Sequence, residues 1–162
     1  MRLNRAIATI TFLTVSAFSQ AIPFVPPEVE RLELLKSTRE DVVKLLAGKS
    51  LNVGGYDHSQ SFFMDDWIVR VDYSKGGCTD DWNVPEWTVT EVLVSPKDHI
   101  PLKDLSLDTS KFRKERNDPQ RKNIYVLYDK PAGIAFYVSG GRAETLIRKV
   151  YRQQDAAAIY GT

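Results

Sequence analysis

The chain has 162 residues, with Lys+Arg 22 against Asp+Glu 21, one Cys, two His and 43% hydrophobic residues. That length suits one compact domain, and the even charge lacks the basic surplus with which nucleic-acid binders neutralise phosphates, so no nucleic-acid partner is expected. A single Cys excludes an internal disulfide and a Cys-based zinc cluster.

Residues 1–21 read as a secretory signal peptide. Arg2 and Arg5 supply the positive start, Ala6 to Phe18 carries no charge, and Ser19-Gln20-Ala21 places small residues before a cleavage site after Ala21. The uncharged run spans 13 residues, short of the ~20 a membrane-spanning helix needs. No Cys stands at the cleavage point to carry a lipid, and no later segment is apolar enough to span a bilayer. The expected product is exported, periplasmic or secreted. Losing Arg2 and Arg5 takes its basic residues from 22 to 20 against 21 acidic ones, a net of −1.

Residues 22–31, rich in Pro23, Pro26 and Pro27, are expected as an extended lead-in, because proline lacks the N–H that helices and central strands require. Within and beyond it, Glu28 to Leu35 stays open between helix and extended chain, because Val29, Leu32 and Leu35 suit a helix but the stretch is short. The main domain is expected over 32–152, followed by a tail at 153–162. Ser37-Thr38-Arg39-Glu40 has capping-box spacing, Val42, Leu45 and Leu46 share a face, and Gly48 stands where a helix stops; together they predict a helix over 38–47. The period then changes to two. Strands are expected over 61–64, 67–73, 87–94, 124–128, 134–138 and 144–151, with turns at Asp129–Gly133 and Ser139–Gly141. This is an α+β pattern of short helices packed on an antiparallel meander sheet.

The segment Val69-x-Val71-x-Tyr73-Ser74-x-Gly76 aligns with Ile134-x-Phe136-x-Val138-Ser139-x-Gly141 at an offset of 65. Residues 34–95 and 102–151 are therefore a candidate tandem repeat of a helix-plus-hairpin unit, with Asp108–Arg116 as a looser counterpart of the capped helix. Leu34 to Val42, followed by a strand meander, resembles the opening of bacterial envelope domains of the SmpA/OmlA type, whose helix-plus-sheet fold is shared by the tandem-repeat β-lactamase-inhibitor protein. Leu35-Lys36-Ser37-Thr38-Arg39-x-Asp41-Val42, Cys78, Trp82-Asn83-Val84-Pro85 and Asp108-x-Ser110-Lys111-Phe112 more closely resemble a family of uncharacterised exported bacterial proteins. That likeness covers most of residues 32–151 and implies no particular chemistry.

The loop from Lys75 to Glu86 is the leading candidate site. It is longer than the matching Gly140–Ala143 connection, and insertions at hairpin tips are where a rigid sheet carries binding function. Its candidate residues are Cys78, Asp80, Asp81, Trp82 and Asn83, with Trp87 beginning the outgoing strand. Tryptophan is a common interface anchor, though it also serves as a lid folded over a sheet. Cys78, unpaired in an exported chain, reads as a structural thiol, since no supporting motif places a base beside it. Asp-Asp-Trp recurs at 65–67 and 80–82. Asp65 and Asp66 with Asp80 and Asp81 are candidates for a Ca²⁺ site or for an acid/base pair, although solvated turns are the ordinary state of such residues. His58 and His99 each follow an Asp and read as loop histidines. Residues 111–122 hold six basic residues against Glu115 and Asp118, net +4, and read as a solvated helix end and loop.

No nucleophile–base, metal or cofactor motif is present. The expected role is a non-catalytic binding or protein-interaction module that uses the 75–86 loop, with another envelope or extracellular protein as its partner. A small carboxylate-dependent hydrolase is the second reading, and an envelope-assembly or inhibitor protein the third. Expressed in a bacterial host, the exported protein should begin at Ile22. N-terminal sequencing checks this, and a retained Met1 or a different start would refute the cleavage site.

Overall fold

In the computed structural model the described residues are 25–52, 58–77, 83–116 and 120–149. The prolines do not hold the lead-in extended throughout. Pro27 occupies the first turn of helix α1 (Pro27–Glu30), where its preset φ suits a helix and its missing N–H has no partner to lose. The expected extended run over 22–31 is thus helical at 27–30. The segment also belongs to the core: Val29 and Leu32 are buried. Arg148 ties it down, donating from Nη1 to the Val29 carbonyl at 3.0 Å and from Nη2 to the Leu32 carbonyl at 3.4 Å. Burial lowers the Arg148 pKa, and the nearby Glu30 carboxylate opposes that shift.

Helix α2 (Arg39–Leu45) forms where the periodicity places it, but its cap lies one residue later than the spacing predicts. Thr38, not Ser37, is the N-cap. The Asp41 amide donates to Thr38 Oγ1 at 3.3 Å, and the Thr38 amide donates to Asp41 Oδ2 at 2.8 Å. Ser37 is unavailable because its carbonyl accepts from the Val89 amide at 2.8 Å and its hydroxyl from the Glu33 amide at 2.9 Å. Val42 and Leu46 face the sheet and are buried; a fully buried Val or Leu contributes about 1.5–3 kcal/mol.

Nine strands follow: β1 (Ser50–Asn52), β2 (Ser59–Phe63), β3 (Trp67–Tyr73), β4 (Val89–Pro96), β5 (Ile100–Pro101), β6 (Arg113–Glu115), β7 (Ile124–Asp129), β8 (Ile134–Ser139) and β9 (Arg142–Lys149). Eight of them make one antiparallel sheet in the order β1-β2-β3-β4-β9-β8-β7-β6, while short β5 pairs with β9. Two four-strand meanders therefore meet at the β4–β9 seam, where Glu91, Val92, Leu93 and Val94 pair with Lys149, Arg148, Ile147 and Leu146. The register shifts between Asp72 and Tyr73 in β3–β4, and between Tyr137 and Val138 in β8–β9, at corresponding places in the two meanders. Both shifts come from an extra residue that re-aims the strand end.

One sheet face forms the core. Phe62, Val69, Val71, Tyr73, Val92, Val94, Leu146, Phe136 and Val138 cluster with Val29, Leu32, Val42 and Leu46. Over the second meander the cover is 3₁₀ turns rather than an α-helix. Leu105 is buried, and Phe112 packs on Phe136 with ring centroids 5.8 Å apart. Asp108 does cap a turn, accepting from the Ser110 amide at 3.2 Å, but the chain leaves it after Lys111 and enters β6. Residues 113–115, expected as a helix end and loop, are therefore an edge strand. The opposite sheet face carries Phe63 and Ile68, paired across β2–β3 and partly exposed. Among the described residues no helix is long and apolar enough to cross a membrane.

The Thr38–Asp41 cap generates a stability prediction. The Asp41 pKa is lowered from 3.8, first by the Thr38 amide and then by its hydroxyl. A carboxylate with a lowered native pKa stabilises the fold above its unfolded value and loses that contribution as pH falls through the native value. Urea unfolding should show Thr38→Ala destabilised by about 1 kcal/mol at neutral pH. The penalty of Asp41→Asn should be present at neutral pH and disappear in acid below 3.8. A pH-independent Asp41→Asn penalty would contradict the cap.

Candidate functional site

The ends of the 75–86 loop are described, while Cys78, Asp80, Asp81 and Trp82 lie outside the described residues. The ladder of β3 and β4 continues past both strands: the Ser74 amide donates to the Thr88 carbonyl at 2.8 Å and the Trp87 amide to the Ser74 carbonyl at 2.9 Å. The Ser74 hydroxyl then accepts from the Gly76 amide at 2.9 Å. Gly76 has φ +77, and a Cβ there would come within 3.2 Å of the Glu86 Cβ and amide nitrogen. The incoming and outgoing arms thus approach closely at a point where a Cβ would be crowded and the left-handed φ strains any side chain.

Trp87 does not begin a regular strand, as its alternation with Val89 predicts. It sits in a tight turn, with the Thr88 amide donating to the Pro85 carbonyl at 3.3 Å and the Thr88 hydroxyl to the same oxygen at 2.7 Å. Its φ is +66, a left-handed conformation that costs a bulky residue of order 1–3 kcal/mol. Three surroundings hold it there. Its carbonyl accepts from the Arg39 amide at 3.0 Å. The His58 ring stacks on the indole, with centroids 4.4 Å apart and planes 15° apart. The Arg39 guanidinium carbon lies 4.7 Å from the indole centroid, a cation–π contact.

Behind the indole runs a polar chain. Gln60 is buried, and its side-chain amide meets Tyr73 Oη at 2.6 Å. With the amide nitrogen turned to Tyr73, its oxygen accepts from Arg39 Nε at 3.1 Å and Nη2 at 3.3 Å, so both ends of the Gln60 amide are satisfied. Burial pushes the Tyr73 hydroxyl well above the ordinary tyrosine range, and Tyr73 stays neutral and structural. In front, His58 Nε2 lies 3.0 Å from Glu86 Oε1. His58 Nδ1 is buried and has no hydrogen-bond partner among the described residues.

Among the described residues Glu86 is the carboxylate beside His58; Asp57 lies outside the described residues. Such a pair orients an imidazole, here against the half-buried indole. Asn83 is exposed, further along the same arm. Asp65 and Asp66 are exposed in the β2–β3 turn, where their carbonyls accept from Lys97: its Nζ at 2.5 Å from Asp65 and its amide at 2.9 Å from Asp66. They lie at the opposite end of β3 from Tyr73 and Gly76, roughly 20 Å of strand away. No group of three His, Cys, Asp or Glu side chains suited to a metal occurs among the described residues. His99 approaches Glu144 at 3.9 Å and is partly exposed.

No protein-family model, no curated protein and no solved structure matches this chain. Sequence reasoning ranked Trp87 and missed Arg39, His58, Gln60, Tyr73 and Glu86. Those five come from separate elements and share no spacing rule. The available signal was Pro85-Glu86-Trp87, a turn sequence preceding an alternating run.

The positive φ of Trp87 is directly testable. Trp87→Gly and Trp87→Ala both delete the indole, but only alanine keeps the left-handed strain. Urea titration should find the glycine variant more stable than the alanine variant by about 1 kcal/mol. Equal stabilities, or the reverse order, would mean that residue 87 has no such strain.

Proposed function

We propose that this chain is an exported, non-catalytic binding module whose 75–86 loop engages another envelope or extracellular protein, with Trp87, His58, Glu86 and Arg39 as the loop's rigid base. The observation that carries this reading is the Trp87 indole, half-buried and held at φ +66 between imidazole and guanidinium contacts. A strained aromatic residue persists only where its surroundings over-determine it, and such positions concentrate at functional sites. The residues at the loop base are already positioned, which lowers the ordering cost of contacts they make, and Asp80, Asp81, Trp82 and Asn83 lie on the connection between them.

The two meanders that meet at the β4–β9 seam, with register shifts at corresponding places, support reading the chain as a doubled four-strand unit. The reading as an envelope-assembly or inhibitor protein draws on that doubling alone. The hydrolase reading draws no support from Asp65 and Asp66, which are solvent-facing in a turn remote from the loop base.

The test uses the full chain, tagged at its C-terminus, to capture partners from bacterial envelope extract. Trp82→Ala removes the loop's anchor, and Glu86→Ala releases His58 while leaving the core intact. Both variants should lose roughly tenfold or more of any specific capture, the scale of one interface hot spot. The reading fails if both variants, shown folded by circular dichroism, retain every partner of the wild type.

A further inference from the structure

At the end of the sheet remote from the Trp87 site, β6 is the outermost strand and pairs only with β7. Arg113, Lys114 and Glu115 are all exposed. Among the described residues no backbone hydrogen bond reaches the outer side of this strand. An open edge is a template for a further strand unless something turns strands away, and charged side chains are the usual deterrent. Here the deterrent is mostly of one sign. By sequence, residues 111–122 hold six basic residues against Glu115 and Asp118, a local +4 in a chain whose formal net charge is +1, and Lys111 lies 3.8 Å from Asp108.

We propose that the β6 edge accepts an extended acidic segment of a partner protein as an added strand. Its backbone pairs with the outer edge of β6, and its carboxylates meet Arg113, Lys114 and Arg116. The charges that repel a neutral or basic strand select an acidic one. The edge is also partly ordered in advance. Lys114 Nζ lies 3.6 Å from the centroid of the Tyr125 ring, so this cation is parked on an aromatic face beside the strand. Arg113 stands opposite Tyr128 in the β6–β7 register. Side chains already positioned lose little entropy when they receive a ligand.

Other occupants fit less well. A second copy would bring two stretches of net +4 together. A bilayer offers anionic headgroups but wants apolar side chains to insert, and β6 has only Arg113, Lys114 and Glu115. A duplex would need phosphate contacts spread over far more surface than a strand of three residues provides.

The experiment measures binding of the full chain to a fluorescein-labelled peptide of about eight residues, an ordinary strand length, alternating Glu and Val. The controls are the same peptide with Gln for Glu, and the Glu peptide N-methylated at every peptide bond, which keeps its charge but blocks ladder formation. The Glu peptide should bind, weaken as ionic strength rises from about 0.05 to 0.3 M, and slow hydrogen exchange at residues 113–115. Either control peptide, and the double variant Arg113→Glu/Arg116→Glu, should bind roughly tenfold or more weakly. The variant changes only exposed side chains, and its fold is checked by circular dichroism. Equal binding of the methylated peptide would overturn the proposal, leaving undirected charge attraction. No binding of the Glu peptide would overturn it as well, as would equal or tighter binding of duplex DNA or of vesicles of phosphatidylcholine and phosphatidylserine. Trp82→Ala and Glu86→Ala should leave this binding unchanged, which separates its failure from failure of the loop reading.

Discussion

The arrangement around the loop depends on one short stretch of backbone pairing, Leu35–Arg39 against Trp87–Val89. The Leu35 amide donates to the Val89 carbonyl at 2.7 Å, the Val89 amide to the Ser37 carbonyl at 2.8 Å, and the Arg39 amide to the Trp87 carbonyl at 3.0 Å. Among the described residues the β9 partners of β4 run from Glu91 to Val94, and the backbone groups at the N-terminal end of β4 need partners elsewhere. The segment before α2 fills that place. In doing so it sets where α2 starts, commits Ser37 and passes the N-cap to Thr38. It also brings the Arg39 guanidinium to the indole of Trp87.

From this constraint the polar chain beneath the loop follows. Arg39 enters the core side of the sheet beside Gln60 and Tyr73, which are buried and would be costly there without partners. Their mutual satisfaction makes the region rigid, and the strain at Trp87 is sustained by that rigidity. His58 and Glu86 close the outer side. A loop rooted in so determined a base can vary in sequence at its tip without disturbing the fold, the usual division of labour between scaffold and loop.

The hydrophobic periods of α2 and of β2, β3, β4, β7, β8 and β9 were legible because each has one buried face whose side chains recur at the helical or strand period. Short elements were not. β1, β5 and β6 span three, two and three residues, too few for any period to register, and β6 is exposed along its whole length, so no apolar alternation marks it. The helical turn at Pro27–Glu30 was only half marked: Val29 and Leu32 suit a helix, but the same prolines that forbid a helix interior favour its first turn. The capping box illustrates a finer limit. Ser37 with Glu40 and Thr38 with Asp41 have the same spacing, and nothing local chooses between them.

The amino-acid sequence alone determined a small chain of even charge built from antiparallel strands with few short helices, the positions of its main strands and its single well-marked helix, and a long Trp-bearing loop between two of the strands. These are local properties, set by side-chain period, proline geometry and turn chemistry within a few residues. Tertiary structure decided which residue caps the helix, that Trp87 turns rather than extends, that Glu86 and Arg39 are the partners of His58 and the indole, and that a basic stretch becomes the sheet's outer edge. Each of those outcomes turns on a contact between residues far apart in the chain. Such contacts form only because the folded sheet leaves particular backbone groups needing partners and particular faces needing cover.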